Sequence, residues 1–265
     1  MKIVIIIFSL FIGSIPAWAL SEKSANELLD HFFSIYQPII KSTTGASLEI
    51  RRDWSINESN AEADRHGSEY SIILSGGLLK KGDLSLPGLA AVACHELGHI
   101  IGGAPQHNQY RYAWFGYEGQ ADYFASLKCL KILFANPYFS SLPKRQNREI
   151  KNLCSETYTD KKEIEICERA ALAGQDMIHY FQDIEKQDEP LVQFDTPLKI
   201  IAGGTYSIYP SYQCRLDTFL AGALCSVPVG NALSDKNPLQ GTCSQNSFPK
   251  GARPACWFIE SEWLK

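Results

Sequence analysis

Two histidines and a glutamate lie close together in the segment HELGH, at His95, Glu96 and His99. Histidines four residues apart on a helix project from the same face, so their imidazoles can bind a single metal ion. Zinc suits such ligands, and it lowers the pKa of a bound water to about 7. Glu96 follows the first histidine directly and could take a proton from that water. The segment therefore predicts a catalytic zinc site with Glu96 as general base.

A catalytic zinc ion normally has three protein ligands and one open position, so a third ligand is needed. In the metzincin pattern, H-E-x-x-H-x-x-G-x-x-H, that ligand is a third histidine. Gly102 occupies the glycine position here, but the histidine position falls on Pro105, which has no ligating atom. His107 comes two residues later and could in principle reach the metal, or it could be an exposed loop residue. The metzincin arrangement stays open only through His107.

A second candidate comes from the segment FGYEGQADYFASLKCL, where Glu118 and Asp122 are one helical turn apart on one face. The tyrosine, phenylalanine, alanine and glycine residues around them indicate a buried helix. Unpaired carboxylates are unfavourable in such surroundings, which argues that these two have a partner. We predict that Glu118 is the third zinc ligand. Asp122 would accept the N–H of a ligating histidine and so fix its tautomer.

Four segments, taken in order, resemble one known family, the gluzincin endopeptidases that include the bacterial heat-shock protease HtpX and the eukaryotic CAAX prenyl protease. The segments are SNAEADRHGSEYSIILSGGLLK, LPGLAAVACHELGH, EGQADYFA and YPSYQCRLDTFLAGAL. They cover the middle of the chain, and the two metal motifs are specific in combination. The transmembrane helices of the family have no counterpart in this sequence, so the chain resembles a soluble, exported branch.

The resemblance implies a zincin-like fold and roles for individual residues. It implies that His95, His99 and Glu118 are the zinc ligands and that Glu96 is the general base. Asp122 would be the carboxylate that hydrogen-bonds a ligating histidine. It also implies that Arg215 lies near the site and that the strand from Tyr70 to Leu74 is the edge on which substrate backbone adds. Tyr209 stands where the family has a histidine. Its hydroxyl could donate to the oxyanion of the transition state, as Arg215 could, or Tyr209 could simply be a packing residue.

The site requires two helices that face each other. Ser85 and Pro87 are typical of a helix start, and the pair Gly102-Gly103 predicts the end of the HELGH helix, which gives a helix over about 87–101. A second helix is predicted over about 117–134. The remaining predicted elements are a packing helix ending at Pro38, strands in SLEIRRDW and EYSIILSGGLLK, and helices in KRQNREIKNLC, DKKEIEICERAALAGQDMIHYFQDIEKQ and YPSYQCRLDTFLAGALC.

The eight cysteines favour disulfides, since their number is even and the chain begins with an export signal. Cys214 and Cys225 should not pair, because eleven residues of helix separate them by about 16 Å. The pairs Cys154–Cys167 and Cys243–Cys256 are plausible local links. Cys94 is turned about 100° away from His95 around the helix, which favours a disulfide or burial over metal ligation.

Residues 1–19, MKIVIIIFSLFIGSIPAWA, have a lysine, an apolar run and an A-x-A site, as a cleaved signal peptide does. The apolar run is shorter than the roughly 20 residues of a membrane-spanning helix, which disfavours an anchor. The formal charge of −4 becomes −5 once Lys2 leaves with the signal. A mildly acidic chain without long basic runs argues against nucleic-acid partners.

These observations predict a signal peptide at 1–19 and one domain at 20–265. The expected fold is α+β and mainly helical, a zincin-like metallopeptidase domain with a small sheet and a disulfide-linked C-terminal region. The expected function is a periplasmic or extracellular zinc metalloendopeptidase acting on proteins or peptides, envelope proteins among them, with no integral membrane segment after signal cleavage. The alternatives are a zinc-bearing envelope chaperone or binding module with vestigial peptidase activity, and a metzincin-like enzyme that uses His107.

Overall fold

The HELGH segment lies on a long, almost fully buried helix of the computed structural model, which describes residues 20–80, 83–108, 113–185 and 189–264. The predicted signal peptide, 1–19, lies outside the described residues. The α-helices are α1 (Glu22–Thr44), α2 (Gly76–Lys80), α3 (Leu86–Ile101), α4 (Glu118–Phe124), α5 (Leu130–Ala135), α6 (Pro137–Ser140), α7 (Arg148–Thr157), α8 (Lys161–Glu185) and α9 (Tyr212–Leu224). A π-helical segment, Ala125–Cys129, joins α4 to α5, and 3-10 turns lie at Pro249–Gly251 and Glu260–Trp263. Helix makes up about half of the chain, so the predicted α+β, mainly helical class is confirmed.

The three strands form one small mixed sheet in the order β1-β3-β2. They are β1 (Ser47–Asp53), β2 (Ala61–His66) and β3 (Glu69–Ser75). β1 is parallel to β3, and β2 is antiparallel to it. The prediction that Tyr70–Leu74 forms the substrate-binding edge was wrong, because β3 is the central strand. The strand β2 was not predicted, because its residues AEADRH are mostly polar and lack an apolar alternation; one side of this end strand faces solvent.

Helix α1 continues past the point where the sequence predicted its end. It begins at Ser21, whose hydroxyl accepts from the backbone of Ser24, and it ends at Gly45, where φ is +74°. Pro38 lies inside the helix. A proline removes one backbone donor and strains the preceding turn. Tyr36 and Ile40 are both fully buried on the apolar stripe that runs through this point, and that packing holds the helix together.

Helix α3 was predicted closely. Ser85 caps it by accepting from the backbone N–H of Gly88, Pro87 lies in its first turn, and the helix ends at Ile101. Residues on every side of α3 are buried, because it packs against α1, α4 and α8 and against the sheet. The predicted second helix, about 117–134, is α4 with the π segment and α5.

Four disulfides link the chain, and the described residues contain no free cysteine. They are Cys94–Cys129, Cys154–Cys167, Cys214–Cys256 and Cys225–Cys243. The predicted Cys154–Cys167 link and the exclusion of a Cys214–Cys225 link are confirmed. The predicted Cys243–Cys256 link was wrong, because the two ends of α9 each bind one cysteine of the C-terminal region, at 6.0 and 5.7 Å between Cα atoms.

The C-terminal region, residues 225–264, has little regular structure and packs against α4 and α9 around its own small core. Trp257 is fully buried in that core. Two disulfides to α9 hold the region in place, which explains how a segment of turns can be ordered. None of the helices in the described ranges is long and apolar enough to cross a membrane.

Candidate metal centre

The centre is built where α3 crosses α4 at very close range. Gly98 makes the approach possible, since a Cβ on it would lie 2.7 Å from the Cα of Ala121 and 2.8 Å from its carbonyl oxygen. His95 and His99 flank Gly98 on α3, and Glu118 begins α4. The small residues at the crossing therefore bring the carboxylate of one helix within reach of the imidazoles of the other.

Three potential ligand atoms converge at this crossing. The Nε2 atoms of His95 and His99 are 3.1 Å apart, and Oε2 of Glu118 lies 3.2 Å from the first and 3.5 Å from the second. A tetrahedral zinc with bonds of about 2.0 to 2.1 Å separates its ligand atoms by about 3.3 Å. Among the described residues these three form the one group of histidine, cysteine and acidic side chains arranged to hold a metal ion. The spacing thus fits a single small ion at their centre.

The other nitrogen of each histidine is already hydrogen-bonded within the protein. Nδ1 of His99 lies 2.8 Å from the carbonyl oxygen of Gly116, which can only accept, so this nitrogen carries the proton. Nδ1 of His95 lies 2.8 Å from Oδ1 of Asp122. With Nδ1 carrying a proton in both rings, Nε2 of each histidine can offer its lone pair to an ion at the centre. The predicted bond of Asp122 to a candidate ligand, His95, is present in the structure.

Arg215 lies behind Asp122 and not at the metal ligands. Its Nε donates to Oδ2 of Asp122 at 2.8 Å and its Nη2 to Oδ1 at 2.9 Å. Burial alone would raise the pKa of Asp122, but the charge of Arg215 outweighs it and the pKa lies below its usual range. The pair is almost fully buried, and it fixes the carboxylate that orients His95. Two of the guanidinium donors of Arg215 are thus occupied by Asp122.

The electrostatics of the centre favour a positive charge. Oε2 of Glu118 is buried and makes no hydrogen bond of good geometry, although it lies 3.2 and 3.5 Å from the Nε2 atoms of His95 and His99, an arrangement that is costly unless a cation satisfies it. Burial lowers the pKa of His95, but the nearby carboxylates, Asp122 foremost, raise it to about 10. Burial acts to raise the pKa of Glu118, but His95 and His99 outweigh it and hold that pKa well below its usual range. A bound metal ion would supply the charge that these groups stabilise.

Glu96 is buried next to the ligands and lines a cleft that leads to them. Burial raises its pKa above the ordinary range, although the neighbouring histidines act in the opposite direction. A carboxylate with a raised pKa accepts a proton more readily than an exposed one. Its position and its environment both match the predicted general base.

The cleft has a volume of about 760 Å³, within the range of small-ligand sites. His95, Glu96, Tyr209 and Arg215 all line it. The ring of Tyr209 lies under the guanidinium of Arg215, 5.1 Å from ring centroid to Cζ. Tyr209 is an exposed residue of the cleft. Loss of solvent around its hydroxyl, together with the charges of Glu118 and Glu96, raises its pKa, so the hydroxyl keeps its proton. The four residues predicted for the chemistry thus share one cleft.

The described residues between α3 and α4, 102–108 and 113–117, pair with one another. Gln106 and Gly116 form a β-bridge, and the backbone of Tyr117 donates to the carbonyl of Pro105. Phe115 stacks on the ring of His99 at 3.9 Å between centroids. His107 lies against Tyr117 and Phe115 and does not belong to the metal-binding group. This placement supports Glu118 over His107 as the third ligand.

The C-terminal region packs against α4, the helix that carries Glu118. The indole of Trp257 lies where a Cβ on Gly119 would be, at 2.3 Å. Arg253 donates to Gln120, and the hydroxyl of Tyr123 donates to a backbone carbonyl of the same region at 2.6 Å. Among the described residues, none that follows Arg215 in the sequence lines the cleft. The described part of the disulfide-linked region therefore packs against the helix of the candidate ligand Glu118 and does not fill the cleft.

Several residues at the centre were not identified from the sequence. Gly98 and Gly119 carried a signal that could have been used, since a glycine inside a helix often marks a close approach of another element. Gly116 acts through its carbonyl and Trp257 through packing, and neither role leaves a local pattern.

Comparison of the chain with family models, with curated proteins and with solved structures finds no match.

Proposed function

We propose that this chain is a zinc-dependent metalloendopeptidase that hydrolyses peptide bonds in proteins. The observation that carries the proposal is the set of three potential ligand atoms, two imidazole nitrogens and Oε2 of Glu118, at the spacing of a tetrahedral site. That oxygen is buried without a hydrogen bond of good geometry. Glu96 lies beside these atoms and lines an open cleft. His95, His99 and Glu118 would hold the ion. When bound, zinc would polarise the scissile carbonyl and make a water nucleophilic near neutral pH.

The residues of the chain supply the proton transfers. Glu96 removes the proton of the attacking water and then delivers it to the leaving amine, a role in which a raised pKa helps at neutral pH. Tyr209 is a candidate donor to the oxyanion that forms on the scissile carbonyl, because its hydroxyl stays protonated and it lines the cleft. Arg215 acts mainly as a positioning residue through Asp122.

The substrate backbone would add to β2, the end strand next to the cleft. Asn60 and Ala61 line the cleft at the start of this strand. Ser75 donates from its backbone to the carbonyl of Asn60 at 3.0 Å, which makes that pair a hydrogen-bonded one. Because such pairs alternate along an antiparallel ladder, the backbone groups of Ala61 and Ala63 point to the free edge. An extended peptide could pair with them.

The chain would act outside the cytoplasm, in the periplasm or the extracellular space, on proteins or peptides that include envelope proteins. Four disulfides support an oxidising compartment, as does the sequence of residues 1–19. The resemblance to the HtpX and CAAX prenyl protease family supports the same reaction class. The alternative of a binding module with vestigial activity would have been favoured by a C-terminal region inside the cleft, and the described part of that region lies elsewhere.

The test is the activity and metal content of the mature chain. The zinc-loaded protein should cleave an unfolded protein substrate, lose activity to a chelator and regain it with zinc. Glu96→Gln should retain zinc but lose at least about a hundredfold in activity, since general-base catalysis contributes that much or more. Glu163→Gln, the same change at an exposed position of α8, is the matched control. Normal turnover by Glu96→Gln with zinc bound would refute the proposed function.

A further inference from the structure

The cleft extends from the metal centre in one direction along α3. Its lining includes Glu96, His95 and Val92 but neither His99 nor Glu118, so it runs toward the N-terminal half of the helix. Val92 and Glu96 are four residues apart, about 6 Å along the helix axis. A residue of an extended peptide spans about 3.3 Å. In an extended substrate whose scissile bond lies at Glu96, the side chain that reaches Val92 therefore belongs to a residue one to two positions from that bond.

This end of the cleft is apolar. Val92 from α3 and Met177 and Phe181 from α8 form its wall, and Val192 and Leu198 from the following loop also line it. Val92 and Met177 are almost fully buried, whereas Phe181 is partly exposed. Apolar surface that lines an open cleft gains most from covering by another apolar group.

Two of the polar side chains at this end, Gln182 and Tyr212, already form hydrogen bonds within the protein. Gln182 accepts from the backbone of Val192 at 3.0 Å and donates to the carbonyl of Pro190 at 2.9 Å. The hydroxyl of Tyr212 donates to Glu185. These bonds hold the loop against α8 and engage one donor and one acceptor of the Gln182 amide. Besides the carboxylates of Glu185 and Glu189, the wall offers a ligand the apolar side chains named above.

We infer that Val92, Met177 and Phe181 form a specificity pocket for a large apolar side chain next to the scissile bond. The inference rests on the proposed function, and it names the substrate class as polypeptide segments with leucine- or phenylalanine-sized residues at that position. Its occupant is a side chain of the substrate, because the pocket is continuous with the surface that carries His95 and Glu96. Small and acidic residues at this position would leave the wall uncovered or bury a charge against it.

Two sets of quenched fluorescent peptides, each with a single cleavable bond, test the pocket. One set varies the residue before that bond and the other varies the residue after it, in both cases among Ala, Leu, Phe, Lys and Asp. The mature zinc-loaded chain should cleave the Leu or Phe peptide of one set at least about tenfold better than its Ala peptide, with Asp the poorest. Mass spectrometry of the products locates the bond. Phe181→Ala should reduce this ratio, and Val92→Phe, which fills the pocket, should move the preference toward Ala. Equal rates on the Ala, Leu and Phe peptides in both sets would overturn the inference.

Ile184→Ala is the matched control, since Ile184 is a partly buried apolar residue of the same helix that does not line the cleft. It should keep the parent ratio, and zinc content and thermal unfolding show whether each variant is folded. Binding of the same peptides to zinc-loaded Glu96→Gln separates the pocket from catalysis. If Glu96→Gln binds the Leu and Phe peptides selectively while the zinc-loaded parent chain cleaves none of them, the pocket is supported and the proposed function is refuted. Unselective binding would refute the pocket.

Discussion

The substitution Gly98→Ala tests whether the close crossing of α3 and α4 creates the metal site. A methyl group on Gly98 would lie 2.7 Å from the Cα of Ala121 and 2.8 Å from its carbonyl oxygen. Both are backbone atoms, so no side-chain rotation can relieve the overlap. Carbon atoms in contact lie about 3.5 Å apart, and the helices must therefore separate by about 0.8 Å.

Zinc ligand distances tolerate changes of only about 0.2 Å, so the separated helices cannot keep all three ligands in place. Overpacking of this kind costs about 1 to 3 kcal/mol. The metal-free chain can relieve the strain by moving α4, whereas the zinc-bound chain cannot. The strain thus appears as lost affinity, and we expect zinc to bind about 5- to 150-fold more weakly.

The assay is competition for zinc between the protein and a chelating dye at neutral pH, with thermal unfolding to show that the variant is folded. Gly203→Ala is the control, because a Cβ on Gly203 meets no atom within 4 Å. It should bind zinc as the parent does. A folded Gly98→Ala protein with parental zinc affinity would show that the helix spacing does not determine the site, and the argument from close approach would fail.

Three further predictions concern the surroundings of the site. Asp122→Asn should weaken zinc binding about 10- to 100-fold, because the carboxylate that orients His95 is lost. It should also lower the free energy of unfolding, because the buried charge of Arg215 loses its counter-charge. Parental zinc affinity in a dye titration would contradict the first expectation. Glu118→Ala should lose zinc on dialysis while His107→Ala keeps it, and the reverse metal contents would instead favour the metzincin-like arrangement. Burial lowers the pKa of Lys131 to about 7, so the free energy of unfolding should rise between about pH 7 and pH 10, where the unfolded chain alone holds the proton. Lys131→Met should remove about 3 to 5 kcal/mol of that rise in denaturant titrations across this range, and an unchanged slope would refute the assignment.

The sequence by itself determined which residues are the candidate metal ligands. His95, Glu96 and His99 depend on one helical period, and Ser85 and Gly102 mark the ends of that helix, so local rules were enough. Glu118 and Asp122 could be identified because two acids on an otherwise apolar helix need a partner. The assignment of Cys154–Cys167 succeeded for a similar reason, since the two residues lie on helices joined by a short connection.

The tertiary structure decided the features that depend on elements distant in sequence. Strand order is set by which strands pack on α1 and α3, so the sequence could not show that β3 is central and β2 is the free edge. The cysteine partners of α9 depend on the path of a C-terminal region with little regular structure, which no periodicity describes. Arg215 was placed near the site by resemblance alone, and its bond to Asp122 follows from the packing of α9 on α4. Ligand types are a local property of the chain, whereas the distances between them arise only when the two helices pack.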